Sequence, residues 1–345
     1  MEENIFYRSR APLRLGLAGG GTDVDPFARI YGGAVLNVTI NMYASCSLKE
    51  RNDGKIKLVS IDFNQTVTLE AKKELELVEG FELAIGAYNY LVNKYNLVPF
   101  SFELHTSCDA PVGSGLGSSS AILVAILAVL RFFLQKEVSP KMLADEAYYV
   151  ERIILGFNGG KQDQYSASLG GWNFMEFNES NVQIENLQLT DCITSELENS
   201  SVIIYMGASR DSSVIISNQR ANVTSRDSDS IQAMKNVKNL AFNLREALLN
   251  SELKIVHEIF NKGWEQKKLM SSKISNEKIE ELISKSFKYG ALTGKISGAG
   301  GGGFAYFLVD FERKKDFIEN MSNFYGIIKQ VTFTSKGVQT WKVKI

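Results

Sequence analysis

The chain has 345 residues, 44% of them hydrophobic and 22% charged, a globular composition long enough for two packed cores and too apolar for a disordered protein. Its 38 basic and 39 acidic residues leave a net charge of −1 with no long run of one sign, which argues against nucleic acid or an anionic membrane as main partner and makes any anion recognition local. Three cysteines without metal-type spacing suit a reducing cytoplasm, and two histidines supply little material for a zinc site or a Ser-His-Asp triad.

Met1 to Phe6 lacks the basic start and apolar core of a signal peptide. The first informative segment runs from Arg8 to Asp23. A short strand over Leu13 to Leu17 enters the glycine turn Gly19-Gly20-Gly21, which displays Thr22 and Asp23, with Arg10 and Arg14 upstream. Two readings stay open: a turn followed by a helix cap, or a polar pocket floor in which Asp23 accepts sugar hydroxyl protons and Arg14 supplies fixed positive charge. From Ala34 to Thr68 apolar and polar residues alternate, and Asn52-Asp53-Gly54 predicts a hairpin joining Tyr43–Leu48 to Ile56–Ser60. Phe81 to Tyr95 has helical periodicity and Phe102 to Thr106 reads as a strand.

That strand feeds Pro111-Val-Gly-Ser-Gly-Leu-Gly-Ser-Ser-Ser-Ala121, which puts three glycines and four serines ahead of an apolar helix from Ala121 to Leu134. Glycine opens backbone conformations closed to other residues, and the free N–H groups of a helix start present donors at its positive end, so the loop suits an anion such as phosphate. It is not a Walker loop, because no lysine lies between Pro111 and Arg131, and Gly113, Gly115 and Gly117 alternate in a way that does not match a dinucleotide fingerprint. At about 14 residues the apolar helix is shorter than the ~20 that cross a bilayer and reads as a buried core helix.

Ser139-Pro140 resembles a helix N-cap and first turn, and the helix from Lys141 to Leu155 carries Glu146 and Glu151. In Gly159 to Gly171, Asp163 is either a solvated loop carboxylate or a general base placed beside the phosphate loop. The stretch Asn178 to Ser201 reads as polar and irregular, which puts a domain boundary near residue 185 and predicts domains over 1–185 and 186–345. A strand over Ser201 to Met206, three helices (Asp229–Leu249, Leu253–Ser271, Asn276–Tyr289), a second glycine-rich loop from Lys295 to Gly303, a strand over Phe304 to Val309, a helix over Phe311 to Tyr325 and two closing strands complete an α+β chain.

Three separated glycine-rich segments together resemble the GHMP kinase superfamily: Arg10 to Asp23 is similar to its first motif, Pro111 to Ala121 to its second and Lys295 to Phe304 to its third. The resemblance implies a ribosomal-protein-S5-like N-terminal domain and a ferredoxin-like C-terminal domain with the active site between them. It implies ATP as phosphoryl donor, wrapped by Gly113, Ser114, Gly115, Leu116, Gly117, Ser118, Ser119 and Ser120, with Mg²⁺ on Ser119 and Glu151. The twelve-residue step from Glu151 to Asp163 matches the family's step to its aspartate, so Asp163 would be the base and Arg14 would lower the hydroxyl pKa or stabilise developing charge. Gly20, Gly21, Thr22, Asp23, Lys161, Arg210, Gly300 and Gly301 are the implied acceptor contacts. Within the superfamily the first motif resembles that of the D-glycero-D-manno-heptose 7-phosphate kinases, with fucokinases next. The acceptor would then be a small sugar phosphate, phosphorylated on its anomeric hydroxyl on the route to nucleotide-activated heptose for surface polysaccharide. Glycines 19–21 leave room for it, and Arg10, Arg29, Lys161 and Arg210 offer cations for its distal phosphate. The rival readings are another monosaccharide kinase and a nucleotide-binding regulator without activity.

Overall fold

The computed structural model describes residues 5–179, 181–207 and 212–345. The chain opens with β1 (Ile5–Ala18), the short helix α1 (Phe27–Tyr31), β2 (Gly33–Glu50), β3 (Lys55–Ser60) and β4 (Gln65–Glu70). Then follow α2 (Glu82–Tyr95), β5 (Phe102–Cys108), α3 (Ser118–Phe133), α4 (Pro140–Tyr148), α5 (Gln162–Leu169), β6 (Trp172–Phe177) and β7 (Val182–Leu187). The remainder comprises α6 (Asp191–Ser200), β8 (Ser201–Tyr205), α7 (Ser212–Thr224), α8 (Ser228–Leu249), α9 (Leu253–Leu269), α10 (Glu277–Lys288), β9 (Ala291–Ile296), β10 (Phe304–Val309), α11 (Lys314–Ser322), β11 (Ile327–Gln330) and β12 (Gln339–Lys344). Among the described residues no helix is long and apolar enough to cross a membrane.

Among the described residues two sheets form, an eight-stranded one with the path β12-β1-β2-β5-β3-β4, to which β6 is added on β2 and β7 on β6, and a four-stranded one ordered β11-β8-β10-β9. The hairpin expected across Asn52-Asp53-Gly54 does not form. Gly54 makes the reversal with φ +72°, but β5 inserts between the two strands, antiparallel to β2 and parallel to β3. A turn signal specifies a change of direction, whereas the partner is chosen by burial. Phe102 and Leu104 of β5 are each 1% exposed, beside Leu48 and Leu58.

The division expected at residue 185 falls inside β7, which pairs with β6 along its whole length, and β12 returns to pair with β1. The second sheet therefore begins after Leu187, and the last strand belongs to the first sheet. The segment read as irregular holds β7 and α6. The signal there is faint because β7 buries only Val182 and Leu187, and α6 buries a narrow stripe of Ile193 and Leu197 behind a Thr190 cap. Helix α7 carries an equally faint signal, its apolar and polar residues showing little helical segregation.

Helix α3 is buried along most of its length and packs on β1, β2, α2, α4 and α5, as its apolar run Ala121–Leu130 requires. Ser139 caps α4 by accepting from the Met142 N–H at 3.3 Å, with Pro140 in the first turn. Helix α4 then widens into a π-helical turn over Tyr149–Ile154. At 100° per residue, positions five apart on a regular α-helix point about 140° from each other. The wide turn lets Glu146 and Glu151 both address α3: Glu146 binds Arg131 near its end, and Glu151 meets Ser119 and Ser120 at its start.

Candidate active site

The glycine- and serine-rich segment before α3 forms a loop at that helix's start. Gly113, Gly115 and Gly117 have φ of +71°, +75° and +75°, so alternate glycines are required by backbone conformation. A second requirement is close approach: a Cβ on Gly115 would stand 2.5 Å from the Ser297 carbonyl oxygen, and one on Gly303 would stand 2.6 Å from that of Ser114. The loop before α3 and the loop between β9 and β10 thus interlock backbone to backbone. The Phe304 N–H donates to the Ser114 carbonyl at 2.8 Å and the Ser297 hydroxyl to the Gly115 carbonyl at 3.0 Å. The first turn of α3, with N–H groups that have no intrahelical partner, opens on a cleft of about 890 Å³ between the two sheets' bodies.

Arg14 of β1 and Asp163 in the first turn of α5 meet at the head of this loop. Arg14 Nε donates to Asp163 Oδ1 at 2.7 Å and a terminal guanidinium nitrogen donates to the Gly115 carbonyl at 2.6 Å. A Cβ on Gly117 would come within 3.2 Å of the Asp163 carboxyl carbon, so that glycine admits the carboxylate to the loop. Glu151 is buried and accepts from the Ser119 hydroxyl at 2.8 Å, the Ser120 hydroxyl at 2.7 Å and the Gln164 amide at 2.6 Å, with Arg152 at 3.3 Å. Among the described residues no three His, Cys, Asp or Glu side chains gather as a metal site. The available set is one exposed hydroxyl and one carboxylate, both hard oxygen donors. These suit a Mg²⁺ ion that takes its remaining oxygens from phosphate and water.

Asp23 lies on the cleft floor. Its carboxylate accepts from the Gly21 N–H at 3.3 Å, the Gln162 N–H at 3.1 Å and the Gln162 amide at 3.2 Å. Burial, and secondarily the charge of Asp163, pushes its pKa up. A Cβ on Gly160 would overlap its Oδ2 at 1.9 Å, so Gly160 lets the loop before α5 close over Asp23, while a Cβ on Gly159 would instead meet the Arg152 guanidinium at 2.4 Å.

Gly20, Gly21, Asp23, Gly113, Ser114, Gly115, Gly117, the serines 118–120, Glu151, Asp163 and Gly300 all line the cleft, as does Arg14. Other expected contacts lie elsewhere. The Thr22 hydroxyl donates to the Gly19 and Ala34 carbonyls and accepts from the Ala34 N–H, which makes it a buried pin of the glycine turn. Leu116 is fully buried, Gly301 ties its N–H to the Ile274 carbonyl, and the Lys161 ammonium sits 5.4 Å over the Tyr148 ring; none of the three lines the cleft. Arg10 bonds Gln339 and stacks on Tyr43, while Arg29 is exposed on α1. Arg210 lies outside the described residues.

Sequence reasoning missed Gln162, Arg152, Gln219 and above all Lys267, which line the cleft. Helix α9 buries Val256, Phe260, Trp264 and then Lys267, so the overlooked signal was a lysine continuing an apolar stripe. Burial, then the charge of Arg14, brings its pKa down to about 8, with Asp23 acting in the opposite sense.

The GHMP kinases N terminal domain profile matches residues 82–171 and the GHMP kinases C terminal profile matches residues 244–327. A D-glycero-alpha-D-manno-heptose 7-phosphate kinase of Campylobacter jejuni is 37% identical over 97% of this chain and 99% of its own. The L-fucokinase/L-fucose-1-P guanylyltransferase of Bacteroides fragilis is 25% identical over 96% of this chain but 38% of its own length. Among solved structures, a D-glycero-D-manno-heptose 1-phosphate kinase from Bacteroides thetaiotaomicron superposes with a TM-score of 0.83 at 36% identity, covering 98% of this chain and 99% of that one. With interlocked glycine loops around one cleft, both halves of the family pattern in order and full-length relatives above one-third identity, this chain belongs to the GHMP kinases.

Proposed function

We propose that the protein transfers the γ-phosphoryl group of ATP to the anomeric hydroxyl of D-glycero-D-manno-heptose 7-phosphate, giving the 1,7-bisphosphate. The chain is a phosphotransferase with an alcohol group as acceptor. The observation that carries the finer reading is the Arg14–Asp163 pair at 2.7 Å, held at the head of the glycine loop in the same cleft as Asp23. The relative named for the 7-phosphate, aligned over 97% of this chain, supports this choice of acceptor.

In this reading the apolar end of the cleft, lined by Phe63, Leu83, Val112 and Ile122, takes the nucleotide base. The loop N–H groups and the start of α3 take the phosphates. Ser119 and Glu151 hold Mg²⁺, which when bound neutralises phosphate charge. Asp23 orients the sugar by accepting from a hydroxyl. Asp163 accepts the proton of the attacking hydroxyl as its oxygen bonds to the γ-phosphorus and the bridging P–O bond to ADP breaks. Arg14 aims Asp163 through the bond at 2.7 Å, and its positive charge faces the charge that builds on the phosphoryl oxygens.

The test is ADP release with heptose 7-phosphate, unphosphorylated heptose, heptose 1-phosphate and L-fucose as acceptors, followed by ³¹P NMR of the product. An anomeric phosphate formed from the 7-phosphate, with the other three poor, is the expected result. Preference for fucose, or for the 1-phosphate as acceptor, would sink the assignment; the second outcome would accord with the name of the structural relative.

A further inference from the structure

We propose that Lys267 is a specificity-determining residue that, opposite Asp23, grips an oxygen of the acceptor sugar; this rests on the sugar-acceptor reading above. Lys267 is 6% exposed and reaches the cleft from α9, on the second sheet's side. Its ammonium donates to the Gly298 carbonyl in the loop between β9 and β10. It stands 3.6 Å from where a Cβ on Gly20 would be, so it abuts the glycine turn that carries Asp23. Among the described residues it makes no ion pair, and neither does Asp23, although their charges act on one another. Two opposite charges, both buried and both lining one cleft, are held apart.

The unused hydrogen-bonding capacity on each side is complementary. Of about four lone-pair positions on a carboxylate, Asp23 fills three with Gly21 and Gln162 donors, two on Oδ1 and one on Oδ2. Of three ammonium N–H groups, one is spent on Gly298. A hydroxyl uses both ends, donating to Asp23 and accepting from Lys267. An apolar ligand would use neither, and a bare phosphate would meet the Asp23 charge. A buried cation without a carboxylate partner is costly to the fold, so its place on an apolar stripe calls for a ligand. Because Lys267 comes from the second sheet's side and Asp23 from the first, the sugar would join the two bodies of the protein.

Calorimetric titration of Lys267→Met and Lys267→Gln with D-glycero-D-manno-heptose 7-phosphate, L-fucose and ADP tests this. Loss of a charge-assisted hydrogen bond is expected to weaken acceptor binding about 10- to 100-fold. Affinity for ADP should stay as in the wild type, which also certifies the fold. Acceptor affinity unchanged in both variants would overturn the Lys267 assignment while leaving the kinase reading intact. A fall in kcat alone, with acceptor affinity kept, would place Lys267 on the transferred phosphoryl group instead and equally overturn it. If the wild type bound neither sugar, the acceptor reading and this inference would fall together.

Discussion

Removing the Asp163 carboxylate should damage stability and catalysis separably. The Arg14 side chain is 6% exposed and its guanidinium has two acceptors, Asp163 at 2.7 Å and the Gly115 carbonyl at 2.6 Å. Asp163→Ala leaves a buried cation with one neutral acceptor. Breaking a fully buried pair costs about 3–5 kcal/mol, and the 21% exposure of Asp163 lets water recover part of this, so about 2–4 kcal/mol is expected by urea unfolding. Turnover should fall by ~10² or more, the usual worth of a positioned general base. Asp163→Asn keeps an oxygen acceptor for Arg14 Nε but has no base, so it should regain most of the stability and none of the turnover. The double variant Arg14→Met/Asp163→Ala should likewise be more stable than Asp163→Ala and remain inactive, while ADP affinity holds throughout. Turnover retained in Asp163→Asn would refute the base assignment. A double variant no more stable than the single one would refute the account of the pair as a buried charge needing its partner.

Gly115→Ala forces a side chain onto a φ of +75° and against the Ser297 carbonyl. A loss of at least about 1–2 kcal/mol from the φ alone, with a raised KM for ATP, is expected. Gly54→Ala, at φ +72° with open space around it, should show only the conformational cost and normal kinetics, and equal losses in the two would show that the loop contact is unimportant. Ser119→Ala should raise the Mg²⁺ concentration needed for half-maximal rate with little change in thermal stability, because Ser120 and Gln164 still hold Glu151. For Lys267, the folded chain binds fewer protons than the unfolded one between about pH 8 and the ordinary lysine value of 10.5. Its burial cost is therefore present in full below about pH 8 and relieved as pH rises to 10.5. Lys267→Met should exceed wild-type stability by up to about 3 kcal/mol at pH 7, with the margin shrinking toward pH 10 in urea titrations. A margin independent of pH would mean that charge burial is not its source.

Local chemistry was legible from the sequence alone. Alternating glycines at 113, 115 and 117 permit the left-handed backbone they adopt, Ser139-Pro140 caps the helix it precedes, and the apolar run Ala121–Leu130 demands burial. The three glycine-rich segments also carry the family's order, so the glycine loop, Arg14, Asp163 and Glu151 could be named as candidates before the cleft they line was seen. Pairings across long sequence separations were not legible, because they are decided by which burial wins among many partners. That choice inserted β5 between β2 and β3 and returned β12 to β1. It also turned Thr22, Arg10 and Lys161 toward backbone or aromatic partners. In a one-dimensional reading Lys267 is one more lysine on an amphipathic helix, and Glu146 and Glu151 are two acids on another. Only the packing of α9 against the glycine turn made the first a charge on the cleft, and only a π turn brought both acids onto α3.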